Sequence, residues 1–508
     1  MRCILLMAGT VPHELPVWEG SSGLVGCGRS TPVRGECPNE QKPGRERTLE
    51  PLAHLDLSGW GNFPTVSAQV ARPEQGRSVA EIVANPGVTG LIARGMGRSY
   101  GDQAVQDAGT TVVMTRLNRM LALDGSPSLD GEAVLRCEAG VTLAEIIRHL
   151  LPRGLFPPVT PGTKFVTVGG AIANDVHGKN HHIDGSFARF VVDFTLLLPS
   201  GERKVCSRGE NPDLFWATVG GMGLTGIILE ARLRLRRVPS AYLTVQYLRS
   251  ANLDETIDLF SSTDASSRYS VAWLDCLTRG RHAGRAVLMN ADHTPAEELP
   301  HRAAVHPFHP ELHKPRAVPV PLPGNLVNPL TVSAFNALYY AVHPTRRVVT
   351  DYERFFYPLD AVENWTRIYG RTGFVQCQAV FPEEEGSKGL VDMLLTLRQG
   401  HKPSFLAVLK RMGPASGGML SFPRPGWTLA VDIPVTRDLH AFMDRLHQRV
   451  LHHGGSIYLA KDATLRRELL APMYPRLGEL LRVKAAVDPS GRVGSAMSHR
   501  LGMGGDGA

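Results

Sequence analysis

Small residues are concentrated between positions 161 and 171 of this chain, in the segments PGT (161–163) and TVGGA (167–171). A backbone with few Cβ atoms can pack flat against a large planar ligand, because larger side chains would intrude into the contact. An earlier glycine-rich turn, GMGRSYG (95–101), follows a strand-like run and is able to form an anion-binding nest for a pyrophosphate. Taken alone, that turn is equally compatible with an ordinary hairpin turn. Together the segments indicate a binding site for a large planar ligand.

A literal GxGxxG motif occurs at 221–226, but its surroundings differ from those of a dinucleotide-binding fold. That fold needs a strand before the motif, a helix after it and an acidic residue about 20 positions further on. Here a helical pattern precedes the motif, an alternating strand follows it, and Gln246 stands near the acidic position. The sequence therefore predicts a tight turn rather than an NAD site.

The composition indicates a soluble protein with more than one domain. The chain has 508 residues, of which 43% are apolar and 20% charged. The net charge of +7 suits an anionic ligand or a membrane surface, and the lack of a dense Lys/Arg cluster argues against nucleic-acid binding. The seven cysteines form no CxxC pair, so no disulfide framework is expected. No apolar run approaches the roughly 20 residues of a membrane helix.

Residue periodicity predicts an α+β protein. A capping box of Thr142 and Glu145 begins a helix within 140–154, and strict alternation predicts a half-buried strand over 226–238. Further strands are predicted at 110–115, 134–141, 189–201, 374–381, 404–412 and 427–434, and helices at 211–221, 252–260, 391–399 and 439–455. The Pro- and His-rich region 293–330 is expected to be a long mobile loop or lid. Residues 1–47 lack periodicity and are expected to be disordered or an over-extended start.

The segment DVHGKNHHIDGSF (175–187) contains His177, His181 and His182. His177 and His181 have the HxxxH spacing of a zinc site, but Gly178 and Asn180 disfavour a helix and no third ligand is evident. A polar surface loop is the second interpretation. The third is a segment that closes over a cofactor.

Several motifs in the same order favour the third interpretation, because they closely resemble the vanillyl-alcohol-oxidase-type (PCMH-type) FAD-binding flavoproteins, and among these the oxidases of polyprenyl-phosphoryl ribose. The resemblance covers about residues 57 to 500. It rests on ARGMGRSYGD (93–102), PGTKFVTVGGAIANDVHGKNHH (161–182), LFWATVGGMGLTGII (214–228), SVAWLD (270–275), FFYPLD (355–360), LSFPRPGW (420–427), IYLAKDA (457–463) and MYPRL (473–477).

The resemblance implies a two-domain fold and a reaction. It places a disordered extension over 1–48, an FAD-binding domain over 49–240, a mixed-sheet substrate domain over 241–455 and a return to the FAD domain over 456–508. The reaction would oxidise the ribose 2′-hydroxyl of a polyprenyl-phosphoryl ribose to a ketone, as the first half of an epimerisation that supplies arabinose for cell-wall arabinan. A separate short-chain dehydrogenase would reduce the ketone.

The resemblance also assigns cofactor and substrate residues. FAD would be held by Arg94, Gly95, Met96, Gly97, Arg98, Ser99, Tyr100, Gly162, Thr163, Thr167, Val168, Gly169, Gly170, Ala171, His177, Gly178, Lys179, Asn180, Ile228 and Tyr458. Substrate contacts would come from Tyr100, Trp273, Tyr340, Gln376, Lys410 and Lys461. Oxidation needs a base for the hydroxyl proton, for which Lys461 is the first candidate and His177 the alternate. No metal is required.

Two departures from the family pattern have chemical consequences. Relatives with covalently attached FAD carry a histidine where this chain has Arg98, so FAD should bind non-covalently. In the best-known members a cysteine and an asparagine occupy the positions of Ala430 and Thr428. Activity should survive without that thiol, whereas a thiol-directed covalent inhibitor should lose its anchor.

Two other functions remain open at this stage. One is a related FAD-dependent oxidase of a free sugar, alditol or aldonolactone, and the other is a non-enzymatic basic binding protein, which a yellow colour on purification would exclude. For the favoured function, the lipid tail is expected to lie in an apolar groove under 293–330. Peripheral contact with the inner membrane, on the cytoplasmic side, is expected, although a periplasmic site is an alternative.

Overall fold

The computed structural model describes residues 53–107, 109–125, 133–312, 314–323 and 326–504. The extension predicted over 1–48 lies outside these residues.

Strands and helices alternate irregularly along the chain. The strands are β1 Ala53–Ser58, β2 Thr65–Ala71, β3 Leu91–Arg94, β4 Thr110–Val113, β5 Met120–Gly125, β6 Ala133–Glu138, β7 Leu155–Phe156, β8 Val191–Leu197, β9 Arg203–Ser207, β10 Ile227–Arg237, β11 Tyr242–Ser250, β12 Tyr269–Leu274, β13 Ala286–His293, β14 Arg316–Ala317, β15 Arg346–Asp351, β16 Val362–Glu363, β17 Phe374–Phe381, β18 Ala407–Met412, β19 Gly426–Pro434 and β20 Ser456–Ile457. The helices are α1 Gly76–Ala84, α2 Leu143–Leu150, α3 Val168–Ala173, α4 His181–Asp184, α5 Pro212–Thr218, α6 Leu253–Thr263, α7 His301–Val305, α8 Pro329–Val342, α9 Tyr352–Phe356, α10 Gly386–Gln399, α11 Leu439–His452, α12 Arg467–Met473, α13 Leu477–Val487 and α14 Ala496–Arg500.

The strands before residue 240 form two sheets. The first has the order β1-β2-β4-β3, in which β4 pairs with both neighbours in parallel. The second is antiparallel, with the order β5-β6-β10-β8-β9 and with β7 paired to the end of β10. The predicted alternation in β10 is confirmed, because Leu233 and Leu235 are buried while Arg232 and Arg234 are exposed. The capping box of Thr142 and Glu145 is also present at the start of α2.

The strands after residue 240 form an eight-stranded sheet with the order β15-β11-β13-β12-β18-β19-β17-β20. One face packs against α6, α10 and α11 and forms the main hydrophobic core. Because side chains alternate along a strand, residues of opposite parity in β17, β18 and β19 project from the other face. Several of these are polar: Gln376, Gln378, Lys410, Thr428 and Asp432.

The C-terminal segment returns to the first unit. Ser456–Ile457 still pairs with β17, so the chain crosses after this strand and not before it. Val493 then bridges to Leu91, and the Arg500 guanidinium donates hydrogen bonds to Asp102 and Asp462. The α+β class predicted from the sequence is confirmed.

The described part of the region 293–330 contains more secondary structure than the predicted long loop. It contains α7 and β14, and Val318 is buried in the cluster formed by Val332 and Phe335 of α8. Within the described ranges, none of the helices combines the length and hydropathy that a bilayer crossing requires.

Candidate active site

A cavity of about 420 Å³ lies between the glycine-rich segments of the first unit and the polar face of the eight-stranded sheet. Its walls include residues 93–100, 160–163 and 176–179, together with Trp273 and Lys461. The cavity therefore joins elements from before and after residue 240, and from the returning C-terminal segment.

The glycines of the first wall allow two backbone segments to approach each other closely. A Cβ on Gly95 would lie 2.2 Å from Thr167 Oγ1, the atom that caps α3 by accepting from Gly170 N–H. A Cβ on Gly169 would lie 3.0 Å from Ala139 Cβ. By contrast, a Cβ on Gly162 would meet nothing within 4 Å, because this residue borders the open cavity. The space beside Gly162 is therefore open and free to receive a planar group.

A third glycine turn also contributes to the wall. The turn at 221–226 connects α5 to β10, as predicted, and Met222 and Gly223 have φ of 55° and 77°. Met222, Gly223 and Gly226 line the cavity. The sequence correctly predicted a turn, but its place in the cavity wall was missed, because the motif was compared only with the dinucleotide-binding loop.

Two arginines of the first glycine loop have different environments. Arg94 donates to the carbonyl oxygens of Ser58 at 2.7 Å and Ala104 at 3.4 Å, so its guanidinium is held by backbone at the cavity edge. The Arg98 guanidinium lies 3.8 Å from the centroid of the Trp60 ring, and Asp360 acts to raise its pKa against the larger lowering effect of burial.

His177 is a buried neutral histidine and not one member of an evident metal site. Its Nε2 accepts from Gln378 Nε2 at 2.9 Å, which leaves the ring proton on Nδ1. Nδ1 is buried and has no hydrogen-bond partner among the described residues. Burial, reinforced by Lys410, holds the pKa of His177 well below its usual value. The Nδ1 of His181 accepts from Gly413 N–H, and the structure groups no three potential metal-ligating side chains within the described residues.

Three half-buried lysines face this cavity. Burial lowers the pKa of Lys179 and of Lys461 to about 7 and that of Lys410 to about 8. Lys179 Nζ donates to the Phe355 carbonyl and lies 4.1 Å from the centroid of the Phe355 ring. Burial lowers the pKa of Lys179 and of Lys461 most, and Lys410 lowers both further, so the charge on Lys410 repels the charge on each of the other two. The cavity is therefore suited to a ligand that carries negative charge.

Lys461 lies beside a hydrogen-bonded cluster that includes a carboxylate missed by the sequence argument. Its Nζ lies 3.7 Å from the centroid of the Tyr100 ring. Gln376 Nε2 donates to Tyr100 Oη at 3.2 Å and to Asp432 Oδ1 at 2.6 Å, and Tyr369 Oη donates to Asp432 Oδ2 at 3.3 Å. Burial raises the pKa of Asp432 to about 7, while Asp432 raises that of Lys461 against burial. The sequence did offer a signal for this carboxylate, because Asp432 is the one charged residue in the mostly apolar strand 427–434.

An aromatic wall closes the side of the cavity furthest from the glycine loops. Trp273 stacks on Tyr339 with ring centroids 4.4 Å apart and donates from Nε1 to the Phe405 carbonyl. Tyr339 and not Tyr340 lines the cavity. Tyr340 Oη instead donates to the Ser250 carbonyl, so the structure places the predicted substrate residue Tyr340 outside the cavity lining and its neighbour Tyr339 in it.

Most of the predicted site residues border the cavity. They are Arg94, Gly95, Met96, Gly97, Arg98, Ser99, Tyr100, Gly162, Thr163, Thr167, Gly169, Gly170, His177, Gly178, Lys179, Ile228, Tyr458, Trp273, Gln376, Lys410 and Lys461. Val168 and Ala171 are instead buried in the core behind α3, because a helix turns them away from the wall. Asn180 points away as well, since its amide donates to the Pro158 carbonyl and to Asp184.

These features fit FAD. The open space at Gly162 would take a planar ring system, and the His177 Nδ1–H, which has no partner among the described residues, offers a donor. Lys179, Lys410 and Lys461 line the same cavity and would supply positive charge to a reduced flavin or a phosphate.

Comparison with known proteins gives the same cofactor. The FAD binding domain family matches residues 67–207. A decaprenylphosphoryl-beta-D-ribose oxidase of Mycolicibacterium smegmatis is 39% identical over 457 residues, which is 89% of this chain and 98% of the relative. An uncharacterized protein of Streptomyces coelicolor is 37% identical over 72% of this chain and all of its own. Cytokinin dehydrogenase 2 of Arabidopsis thaliana is 29% identical over 29% of this chain and 28% of its own. The chain belongs to the decaprenylphosphoryl-beta-D-ribose oxidase family of FAD-dependent oxidoreductases.

Proposed function

We propose that this protein oxidises the 2′-hydroxyl of a polyprenyl-phosphoryl-β-D-ribose to a ketone. The observation that carries the proposal is the cluster of Lys179, Lys410 and Lys461 in one cavity. Among the described residues, Asp432 acts on Lys461, but no carboxylate acts on the pKa of Lys179 or Lys410. A neutral sugar or an aldonolactone offers no counter-charge to these lysines, so part of them would lose their protons on burial, whereas an anionic substrate would keep the phosphate-binding lysine charged. A phosphodiester-linked sugar supplies that charge.

Bound FAD supplies the acceptor for the two electrons removed from the sugar carbon. The protein must accept the hydroxyl proton and orient the sugar. Lys461 is suited to the first task, because a pKa of about 7 leaves much of the amine neutral near neutral pH. His177 is less suited, since its Nε2 lone pair already accepts from Gln378 and its Nδ1 carries the proton.

Other residues of the cavity would hold the substrate. Lys410 lies on the same sheet face as Gln376 and would bind the phosphate. Both N–H donors of Gln376 are used by Tyr100 and Asp432, so Gln376 would hold a ring hydroxyl by accepting from it at Oε1. Trp273 and Tyr339 would form an apolar wall toward the lipid. With Arg98 in the place of a histidine, FAD would be held without a covalent bond.

The remaining steps lie outside this chain. A separate reductase, by family resemblance a short-chain dehydrogenase, would reduce the ketone to the arabinose epimer. A lipid-linked substrate requires work at a membrane surface, and the net charge of +7 favours the anionic cytoplasmic leaflet. Peripheral association there is therefore proposed.

The test is an anaerobic titration of the purified holoprotein, followed by flavin absorbance. A short-chain polyprenyl-phosphoryl-β-D-ribofuranose is expected to bleach the flavin, whereas free ribose and an aldonolactone are not. Bleaching by a free sugar or a lactone alone would contradict the proposed substrate and support the alternative oxidase. Acid precipitation should release all of the flavin into the supernatant, and retention of flavin in the pellet would contradict non-covalent binding.

A further inference from the structure

The outer face of α8 (Pro329–Val342) is apolar and open to solvent. Leu330 and Leu338 are 83% and 38% exposed, and Ala334, Ala337 and Ala341 on the same face are exposed as well. Large apolar side chains grouped in this way on a monomer surface mark a contact surface. The neighbouring segment adds Val320, which is 59% exposed, and Leu326.

The opposite face of α8 is tied to the candidate active site. Phe335 and Tyr339 line the cavity, and the buried Asn336 amide donates to Asp275 Oδ1 at 2.8 Å. The helix thus has one face in the cavity wall and the other on the surface, so whatever covers the outer face lies next to the aromatic end of the cavity.

The charge pattern around α8 identifies the occupant. Residues 317–345 contain no Asp, Glu, Lys or Arg, and residues 312–350 contain no Asp or Glu at all. This uncharged stretch is bounded by Lys314 and Arg316 on one side and by Arg346 and Arg347 on the other. Along the chain, the apolar segment is flanked by basic residues on both sides, and Glu363, which pairs with Ala317, is an acidic neighbour brought in by the fold. An apolar face flanked in this way mainly by positive charge is complementary to an anionic lipid surface, in which acyl chains lie beneath phosphate headgroups.

The ends of α8 are satisfied within the protein, so the helix can lie at an interface without fraying. Asn328 Oδ1 accepts from the N–H groups of Leu330 and Thr331 at 2.9 and 3.1 Å. Arg249 donates to the carbonyl of His343 at 2.9 Å and to that of Ala341 at 2.6 Å at the other end. Backbone groups at both termini therefore need no water when the surface is covered.

We propose that α8 is the membrane-docking helix of this protein, with the face of Leu330 and Leu338 inserted among anionic lipids and Phe335 and Tyr339 directing the lipid-linked substrate into the cavity. The inference deepens the proposed function and depends on it for the identity of the lipid substrate. Docking itself is tested without substrate.

The test is sedimentation of the holoprotein with vesicles of phosphatidylcholine and phosphatidylglycerol, and with vesicles of phosphatidylcholine alone. The natural protein is expected to bind the mixed vesicles and to dissociate as salt rises. The variant L330E/L338E should lose roughly tenfold or more of this affinity, since two charges enter the apolar contact. The variant R316Q/R347Q should lose about fivefold per charge, and only on anionic vesicles.

A matched control is the variant V391E/L395E on α10, where Val391 and Leu395 are 43% and 39% exposed on a different surface. It should bind vesicles as the natural protein does. Equal vesicle binding by L330E/L338E, or no binding of the natural protein to either vesicle, would overturn the proposal; in the second case the face would be left for a protein partner.

A soluble short-chain substrate separates this inference from the proposed function. L330E/L338E should reduce its flavin with that substrate at the natural rate and lose only the turnover of a long-chain substrate embedded in vesicles. If the soluble substrate fails with the natural protein, the proposed function fails, and the vesicle measurement still decides the docking surface.

Discussion

The ammonium group of Lys461 lies 3.7 Å from the centroid of the Tyr100 ring, and the hydroxyl of that ring accepts from Gln376, which also donates to the buried Asp432. A ring face favours the charged lysine, whereas burial favours the neutral one. Because Asp432 opposes burial, the pKa of Lys461 lies near 7 and the amine can gain or lose a proton at neutral pH.

Replacement of Lys461 by methionine keeps the length of the side chain and removes the proton acceptor. Flavin reduction by the short-chain substrate is expected to slow by about 10²–10⁴-fold. The measurement is anaerobic stopped-flow absorbance on protein whose flavin content has been checked. Lys388→Met, on the exposed surface of α10, is the control and should react at the natural rate. A Lys461→Met variant as fast as the natural protein would exclude Lys461 as the base.

The reduction rate should rise with pH through about 7, because only neutral Lys461 accepts the hydroxyl proton. Asp432→Asn removes the carboxylate that raises the pKa of Lys461, so the acid limb of the profile is expected to move to lower pH. The measurement is the pH dependence of the first-order reduction rate for both proteins. Since Lys461 and Asp432 interact, the apparent pKa of the acid limb belongs to the pair and not to Lys461 alone. An acid limb at the same pH in both proteins would mean that Asp432 does not act on the base.

The glycines of the cavity wall should separate cofactor binding from folding. Gly162→Val is expected to leave the stability of the flavin-free protein within about 0.5 kcal/mol, because a Cβ there meets nothing within 4 Å. It should nonetheless lower the flavin content, since the new side chain enters the cavity. Gly95→Val should lower both, because its Cβ would clash with Thr167 Oγ1 at 2.2 Å. Thermal unfolding and flavin content after gel filtration are the measurements. Full flavin content in Gly162→Val would show that this wall does not contact FAD.

Sequence reasoning located the elements with strong local signals and failed where tertiary contacts decide. The alternation of β10 and the capping box of α2 depend on neighbouring residues, and both were predicted. Tyr340 was chosen over Tyr339 because nothing in the sequence shows which face of α8 meets the cavity. Asp432 was missed because the sequence does not show which face of β19 is directed toward the cavity. Only the folded sheet shows that Asp432 lies on the same face as Thr428 and Ala430. The region 293–330 was predicted as a long loop, and the packing of Val318 against α8 was missed because that contact is not local in sequence.

The position of Ala430 should determine sensitivity to thiol reagents. Ala430 lines the cavity, whereas the described cysteines, Cys137, Cys206, Cys276 and Cys377, are buried and none of them borders it. Burial also raises the pKa of Cys377, the nearest of these in the sheet, so its reactive thiolate is scarce. Flavin reduction by the natural protein is therefore expected to survive treatment with iodoacetamide.

Ala430→Cys places a thiol on the cavity face of β19 and should be alkylated with loss of that reduction. The substrate should protect it, because alkylation and substrate binding would compete for the same space. Ala379→Cys, on the opposite, fully buried face of β17, is the matched control and should remain unmodified. Mass spectrometry and anaerobic flavin reduction before and after treatment are the measurements. An Ala430→Cys protein that is alkylated yet fully active would show that this part of the cavity lies away from the reacting sugar.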